Sequence, residues 1–119
     1  MKENVIKYKS FAFALRIVKL YKYLIKDEKE FVLSKQLLRS GTAVGALVRE
    51  AEHAEIKADF IHKMAIAQKE ANESDYWIDL LYQSDYLLEK EYLSINADIK
   101  ELNKIIASII ISTKNNLKV

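Results

Sequence analysis

Apolar residues recur along most of the chain at alternating spacings of three and four, which places them on one side of an α-helix. The pattern predicts helix one over residues 4–25, with two apolar stripes. Phe11, Leu15, Val18 and Ile25 form one, and Phe13, Ile17, Leu20 and Leu24 the other. A bundle core needs a single apolar face. The second stripe therefore either meets another subunit or joins the first in one wide face buried within the monomer. Helix two is expected over residues 28–54, with Leu37, Gly41, Val44, Val48 and Ala51 facing inward. Asp27 is placed to cap it, and Glu30, three residues on, fits a capping box. Helix three, over residues 57–84, carries Phe60, Met64, Ala67, Ala71, Ser74, Ile78 and Leu81 in the same alternation.

The last stripe is Leu88, Tyr92, Ile95, Ile99, Leu102, Ile106, Ile109 and Thr113. It continues the register of Leu81, so periodicity alone marks no break. One helix from 57 to 114 would be far longer than helices of ordinary domains. The turn is placed at Asp85, Tyr86 and Leu87, which leaves helix four over residues 89–114 and a polar tail over residues 114–119. Isoleucines 105, 106, 109, 110 and 111 give helix four a second apolar edge.

Proline is absent, and Gly41 and Gly45 are the only glycines, which leaves little material for hairpins or long irregular loops. Residues 1–119 are thus expected to form a single all-α domain, an antiparallel up-down-up-down four-helix bundle. Glycine inside a helix costs about 0.5–1 kcal/mol relative to alanine. Two of them at i and i+4, on one side of helix two, mark a seam where another backbone comes close. In a simple hairpin the small residues Ala67 and Ala71 of helix three would lie opposite.

With no cysteine there is neither a disulfide framework nor a thiolate metal site. The first nine residues hold no apolar run resembling a signal peptide, and no stretch is apolar enough for a membrane span. The expectation is a cytoplasmic protein without membrane contact. The formal charge of +2 conceals three blocks: residues 1–39 hold ten Lys/Arg against four Asp/Glu, residues 40–89 four against ten, and residues 90–119 five against three. Such blocks are either solvated faces or the complementary surfaces of a head-to-tail oligomer.

Catalytic chemistry finds little support. Glu50 with His53, and Asp59 with His62, have the Glu-x-x-His spacing of carboxylate-bridged metal bundles. These residues flank the core stripes, however, and helix one offers only Glu3, so no metal site or cofactor is assigned. The glycines lack the Lys-Ser/Thr of a phosphate loop, and Ser40 and Thr42 read as packed or back-bonded helical hydroxyls. Arg39, Arg49 and Glu50 read as a buried or interface ion-pair set, with Gly41, Gly45 and Trp77 as packing or interface positions. No enzyme activity is expected. The better-supported chemistry is a basic face on helix one, Lys7, Lys9, Arg16, Lys19, Lys22 and Lys26, interleaved with Tyr8, Tyr21 and Tyr23. Lysine and arginine give phosphate affinity, and tyrosines can stack on bases.

Two blocks carry a family resemblance. Gln36 through Ala46, followed by Arg49-Glu50-Ala51, is one; Asp59 through Ala71, followed by residues 76–81, is the other. Together with residues 101–106 they resemble the four-helix-bundle proteins encoded in intervening sequences of bacterial 23S ribosomal RNA genes. That resemblance covers roughly residues 11–114. It implies a ring-shaped homopentamer. Through a related accessory factor of diversity-generating retroelements, it also implies binding of RNA or DNA and work beside a nucleic-acid enzyme. Two departures stand out: residues 54–57 read Ala-Glu-Ile-Lys where the family often has Ser or Gly, and helix three is acidic. The alternative to nucleic-acid binding is a scaffold for a protein partner.

Overall fold

A computed structural model describes residues 2–117, with side chains from 5 to 116. Four helices follow in order: α1 (Lys2–Lys26), α2 (Leu33–Glu52), α3 (Lys57–Gln83) and α4 (Glu89–Leu117). Each packs on its chain neighbours and α1 closes on α4, in an antiparallel bundle measuring 52 × 21 × 19 Å. The core is the expected one through α2 and α3, where Leu37, Val44, Val48, Ala51, Met64, Ala67, Ala71, Ile78 and Leu81 are buried. From α4 it takes Ile95, Ile99, Leu102, Ile106 and Ile109.

On α1 the two stripes separate. Ile6, Phe13, Ile17 and Leu24 are buried, while Phe11 is 48% and Leu15 52% exposed, so one wide buried face is ruled out. Leu88 is also solvent-exposed, contrary to the expected stripe, and Leu87 is buried in its stead. The cause is the α3–α4 turn. Asp85 adopts a left-handed backbone, φ 69°, with the Tyr86 N–H donating to the Leu81 carbonyl at 2.9 Å and the Asp85 N–H to Tyr82 at 3.1 Å. This is a Schellman ending with aspartate at the position glycine usually takes. The reversal shifts the register by one residue and turns Leu87 inward. Helix four then runs past residue 114 to Leu117. Of the expected polar tail, residues 118 and 119 lie outside the described residues.

Helix two starts five residues later than expected, and its cap is different. The Asp27 N–H still donates to Tyr23 at 2.8 Å, so Asp27 belongs to the end of α1 and caps nothing. Lys29, at φ 56°, takes the left-handed turn. The Glu30 carboxylate then accepts from the backbone N–H groups of Val32 (3.0 Å), Leu33 (2.9 Å) and Ser34 (2.6 Å), while Ser34 Oγ donates to the Glu30 carbonyl at 2.8 Å. One buried carboxylate satisfies three of the N–H groups that a helix start leaves without partners. Burial pushes Glu30 up, but the hydrogen bonds from Leu33, Ser34 and Val32 outweigh it and hold the carboxyl below its ordinary value.

The glycine seam faces α1, not α3. A Cβ on Gly41 would stand 2.9 Å from Ile17 Cγ1, and one on Gly45 would stand 3.3 Å from the Ser10 carbonyl oxygen. The α2–α3 approach is instead made by Ser40 and Ser74, both buried, with Ser74 Oγ donating to Ser40 Oγ at 2.9 Å.

Two stability predictions follow from this geometry. Ile17 is β-branched and buried, so it cannot swing away from a new methyl group. Gly41→Ala should cost about 1–2 kcal/mol net, as overpacking outweighs the helix-propensity gain of about 1 kcal/mol. Gly45→Ala, whose neighbour need yield only slightly, should fall near neutral. Urea midpoints will rank the two, and an Ile17→Ala background should remove the Gly41→Ala penalty. Glu30→Ala should cost about 1–2 kcal/mol at neutral pH. The lowered Glu30 pKa means that its contribution is present above the ordinary carboxylate range and is lost as pH falls through the folded value. The gap between wild type and Glu30→Ala should therefore close in acid.

Candidate nucleic-acid interface

The six cations expected to form one basic face divide into two groups. Three are tied to acids on neighbouring helices: Lys7 to Glu52 on α2 at 3.1 Å, Lys9 to Glu101 on α4 at 3.1 Å, and Arg16 to Asp98 on α4 at 2.8 Å. The other three, Lys19, Lys22 and Lys26, have no hydrogen-bond or ion-pair partner among the described residues. All three are exposed. At 1.5 Å rise per residue they span about 10 Å of the last two turns of α1. The phosphate-binding chemistry read across the whole helix thus concentrates at its C-terminal end.

The tyrosines divide likewise. Tyr8 is 71% exposed but lies at the other end of the helix, and Tyr21 is half-buried. Tyr23 stands with the free lysines, 39% exposed. Its hydroxyl donates to Glu28 at 3.1 Å, and that hydrogen bond, with burial and the charges of Glu28 and Glu91, raises its pKa above the ordinary phenol value.

Beside Lys19 the α1–α4 seam opens into a cleft of about 300 Å³. Leu20, Leu87 and Ile95 form its apolar floor, and Arg16, Lys19, Tyr23 and Glu91 its rim. Glu91 is exposed and has no partner among the described residues. Nothing in the spacing of helix four singled it out. Its place depends on where α1 crosses α4, a contact between segments some seventy residues apart in the chain.

Residues read as an ion-pair or interface set are not brought together. Arg39 pairs with Glu70, 3.2 Å away, and with Glu73 on α3. The Trp77 indole N–H also donates to Glu73, at 3.0 Å. That hydrogen bond first, and then Arg39, hold the Glu73 carboxyl below its ordinary value against the opposing effect of burial. Arg49 stacks on Phe11, 5.1 Å from the ring centre, and Glu50 accepts from Lys63 at 3.3 Å. Thr42 back-bonds to the Leu38 carbonyl at 2.7 Å, as a helical hydroxyl does. His53 caps the end of α2 and His62 is exposed on α3. No group of three or more His, Asp or Glu that could hold a metal ion occurs among the described residues, and the side chain of Glu3 lies outside them.

The acids of α3 are largely engaged within the chain. Besides Glu70 and Glu73, Asp75 accepts from Lys100 at 2.7 Å and Asp79 from Tyr92 at 2.7 Å. The hydrogen bond to Asp79, with burial, pushes the Tyr92 phenol up to about 12.

The family model described as 23S rRNA-intervening sequence protein matches residues 2–108. The chain belongs to that family. A solved structure that is similar is that of a protein of unknown function from the S23 ribosomal protein family of Bacteroides thetaiotaomicron. It is 57% identical, the match covers 92% of this chain and 98% of that one, and the TM-score is 0.91. No curated protein matches the chain. The bundle is therefore also the fold of that solved structure over nearly the whole length of the chain, and no helix among the described residues is long and apolar enough to cross a membrane.

Proposed function

We propose that this protein is a non-catalytic, self-associating bundle that binds the phosphates of RNA or DNA through Lys19, Lys22 and Lys26. The observation that carries the reading is that, among the described residues, no acid pairs with those three lysines, while Lys7, Lys9 and Arg16 on the same helix are each paired. An ammonium already paired in the monomer gains little from a phosphate; an unpaired one releases a counterion for each phosphate it meets. The family's link to an rRNA gene insertion fits a nucleic-acid partner without requiring one.

Self-association is supported by the outer face of α1, where Val5, Tyr8, Phe11 and Leu15 are exposed together. A contiguous apolar face of this kind marks an interaction surface. The ring-shaped homopentamer implied by the family resemblance would cover it. The assembly draws its support from that apolar face rather than from the α3 acids, most of which have internal partners. For the same reason a scaffold holding a basic protein partner is the weaker alternative.

Light scattering of the untagged protein should give a mass several times the 13.8 kDa subunit, near five subunits if the resemblance holds, and Phe11→Glu with Leu15→Glu should release the monomer. Fluorescence anisotropy with a labelled single-stranded oligonucleotide should show affinity falling with salt. The log–log slope should be about 2, for three phosphate contacts per subunit. Reversing Lys19, Lys22 and Lys26 to Glu should lower affinity at least tenfold without loss of fold, whereas Arg16→Glu should mainly lower stability. Binding insensitive to salt and to the triple reversal would refute the reading.

A further inference from the structure

The α1–α4 cleft has a composition that phosphate binding alone does not explain. Lys19 stands on its rim as an unpaired cation, and Arg16 beside it is already neutralised by Asp98. Glu91 puts an unpaired carboxylate on the same rim. A carboxylate next to a polyanion's path repels it, and so weakens a site that reads only backbone charge. An occupant that turns that carboxylate into an attraction must bring N–H donors to it. The same occupant must offer an anion to Lys19 and a flat apolar body to the floor of Leu20, Leu87 and Ile95.

A nucleotide meets all three demands. The Tyr23 hydroxyl is engaged by Glu28, and its ring remains on the cleft rim as a surface for stacking. The volume, about 300 Å³, lies at the small end of ligand pockets. It suits one base rather than a helix or a folded partner. Outside the cleft, Lys22 and Lys26 continue the line of free cations away from Lys19, along the course that the flanking phosphates of a strand would take.

We propose that the α1–α4 cleft takes one base of a bound single strand, and that Glu91 selects a base whose hydrogen-bonding edge carries adjacent donors, guanine above the others. Guanine presents N1–H and the N2 amine side by side, a match for both oxygens of one carboxylate. Cytosine and adenine offer a single amine, and uracil one imide N–H flanked by carbonyls that face the carboxylate unfavourably. Selection resides in Glu91, and affinity in the lysines. This inference rests on the phosphate-binding reading for its strand, but the base pocket can be measured without one.

Two titrations of the full chain separate them. In the first, guanosine 5′-monophosphate and uridine 5′-monophosphate are added to methyl-labelled protein, and the signals of Leu20, Leu87 and Ile95 are followed. In the second, anisotropy compares an oligouridylate with the same strand carrying one central guanine. The guanine nucleotide should move the three methyl signals, and the guanine-bearing strand should bind on the order of tenfold tighter, the discrimination of one good bidentate contact. Glu91→Gln should erase that preference and, by removing the repelling charge, raise oligouridylate affinity up to a few-fold. Glu91→Lys should raise affinity for every strand while removing the preference; both substitutions sit on an exposed helical position and leave the core untouched. Equal binding of the two strands with no methyl shifts overturns the base pocket and leaves the phosphate reading standing. Methyl shifts with the mononucleotide but no strand binding do the reverse. Silence in both titrations overturns both.

Discussion

The approach of α1 to α2 at Gly41 and Gly45 sets the geometry of the rest of the molecule. Only a missing Cβ at Gly41 lets Ile17 come as near to the α2 backbone as it does, and the Ser10 carbonyl lies nearly as close at Gly45. A helix drawn that closely against one neighbour is held away from the other. Accordingly the α1–α4 seam is the most sparsely packed of the four. Long side chains span it, with Arg16 reaching Asp98 and Lys9 reaching Glu101, and it opens into the cleft beside Lys19. The cost of two helix-interior glycines is thus linked to the presence of a recess on the opposite side of α1.

Electrostatics follows from the same arrangement. The acids of α3 lie on the flanks that meet α2 and α4, where Arg39 and Lys100 reach Glu70, Glu73 and Asp75. These pairs are partly exposed, so each contributes little to stability. Their larger effect is to neutralise charge locally. What looks in the sequence like an acidic block against a basic block is, in three dimensions, partly cancelled where the helices meet. Lys19, Lys22 and Lys26, near one end of α1, are among the cations left without an ion pair among the described residues.

How much of this was legible in the sequence depends on whether a feature is local. The inward stripe from Leu37 to Ala51 and the one from Met64 to Leu81 were readable residue by residue, because helical periodicity is set within a turn or two. The boundaries were not. Leu88 continued a perfect repeat, and only a left-handed Asp85 shifted the register to Leu87; no propensity marks aspartate as strongly as it would glycine. Asp27 and Glu30 both resembled caps, and the choice turned on Lys29 reversing the chain between them. The partner of the glycine seam was misplaced for a similar reason. Small residues on α3 suggested a close approach there, yet Ala67 and Ala71 are buried at the core while Gly41 and Gly45 turn toward α1. Which of the helix-one cations were free was not legible at all, since Glu52, Asp98 and Glu101 come to Lys7, Arg16 and Lys9 from other helices.

A net charge of +2 would by itself predict feeble attraction for a polyanion. Screening makes the net figure a poor guide, because at physiological salt a charge is felt over about 8 Å and little further. Over that range a phosphate near the end of α1 meets Lys19, Lys22 and Lys26, with Asp27 and Glu28 beside them, rather than the paired acids of α3. The same range admits Glu91, whose opposite sign would be a liability to a surface that had only to collect phosphates. A carboxylate held at the mouth of an apolar recess, beside an unpaired ammonium, distinguishes occupants by their donors. Indiscriminate binding and selective binding therefore place opposite demands on one residue, and the position of Glu91 favours selection.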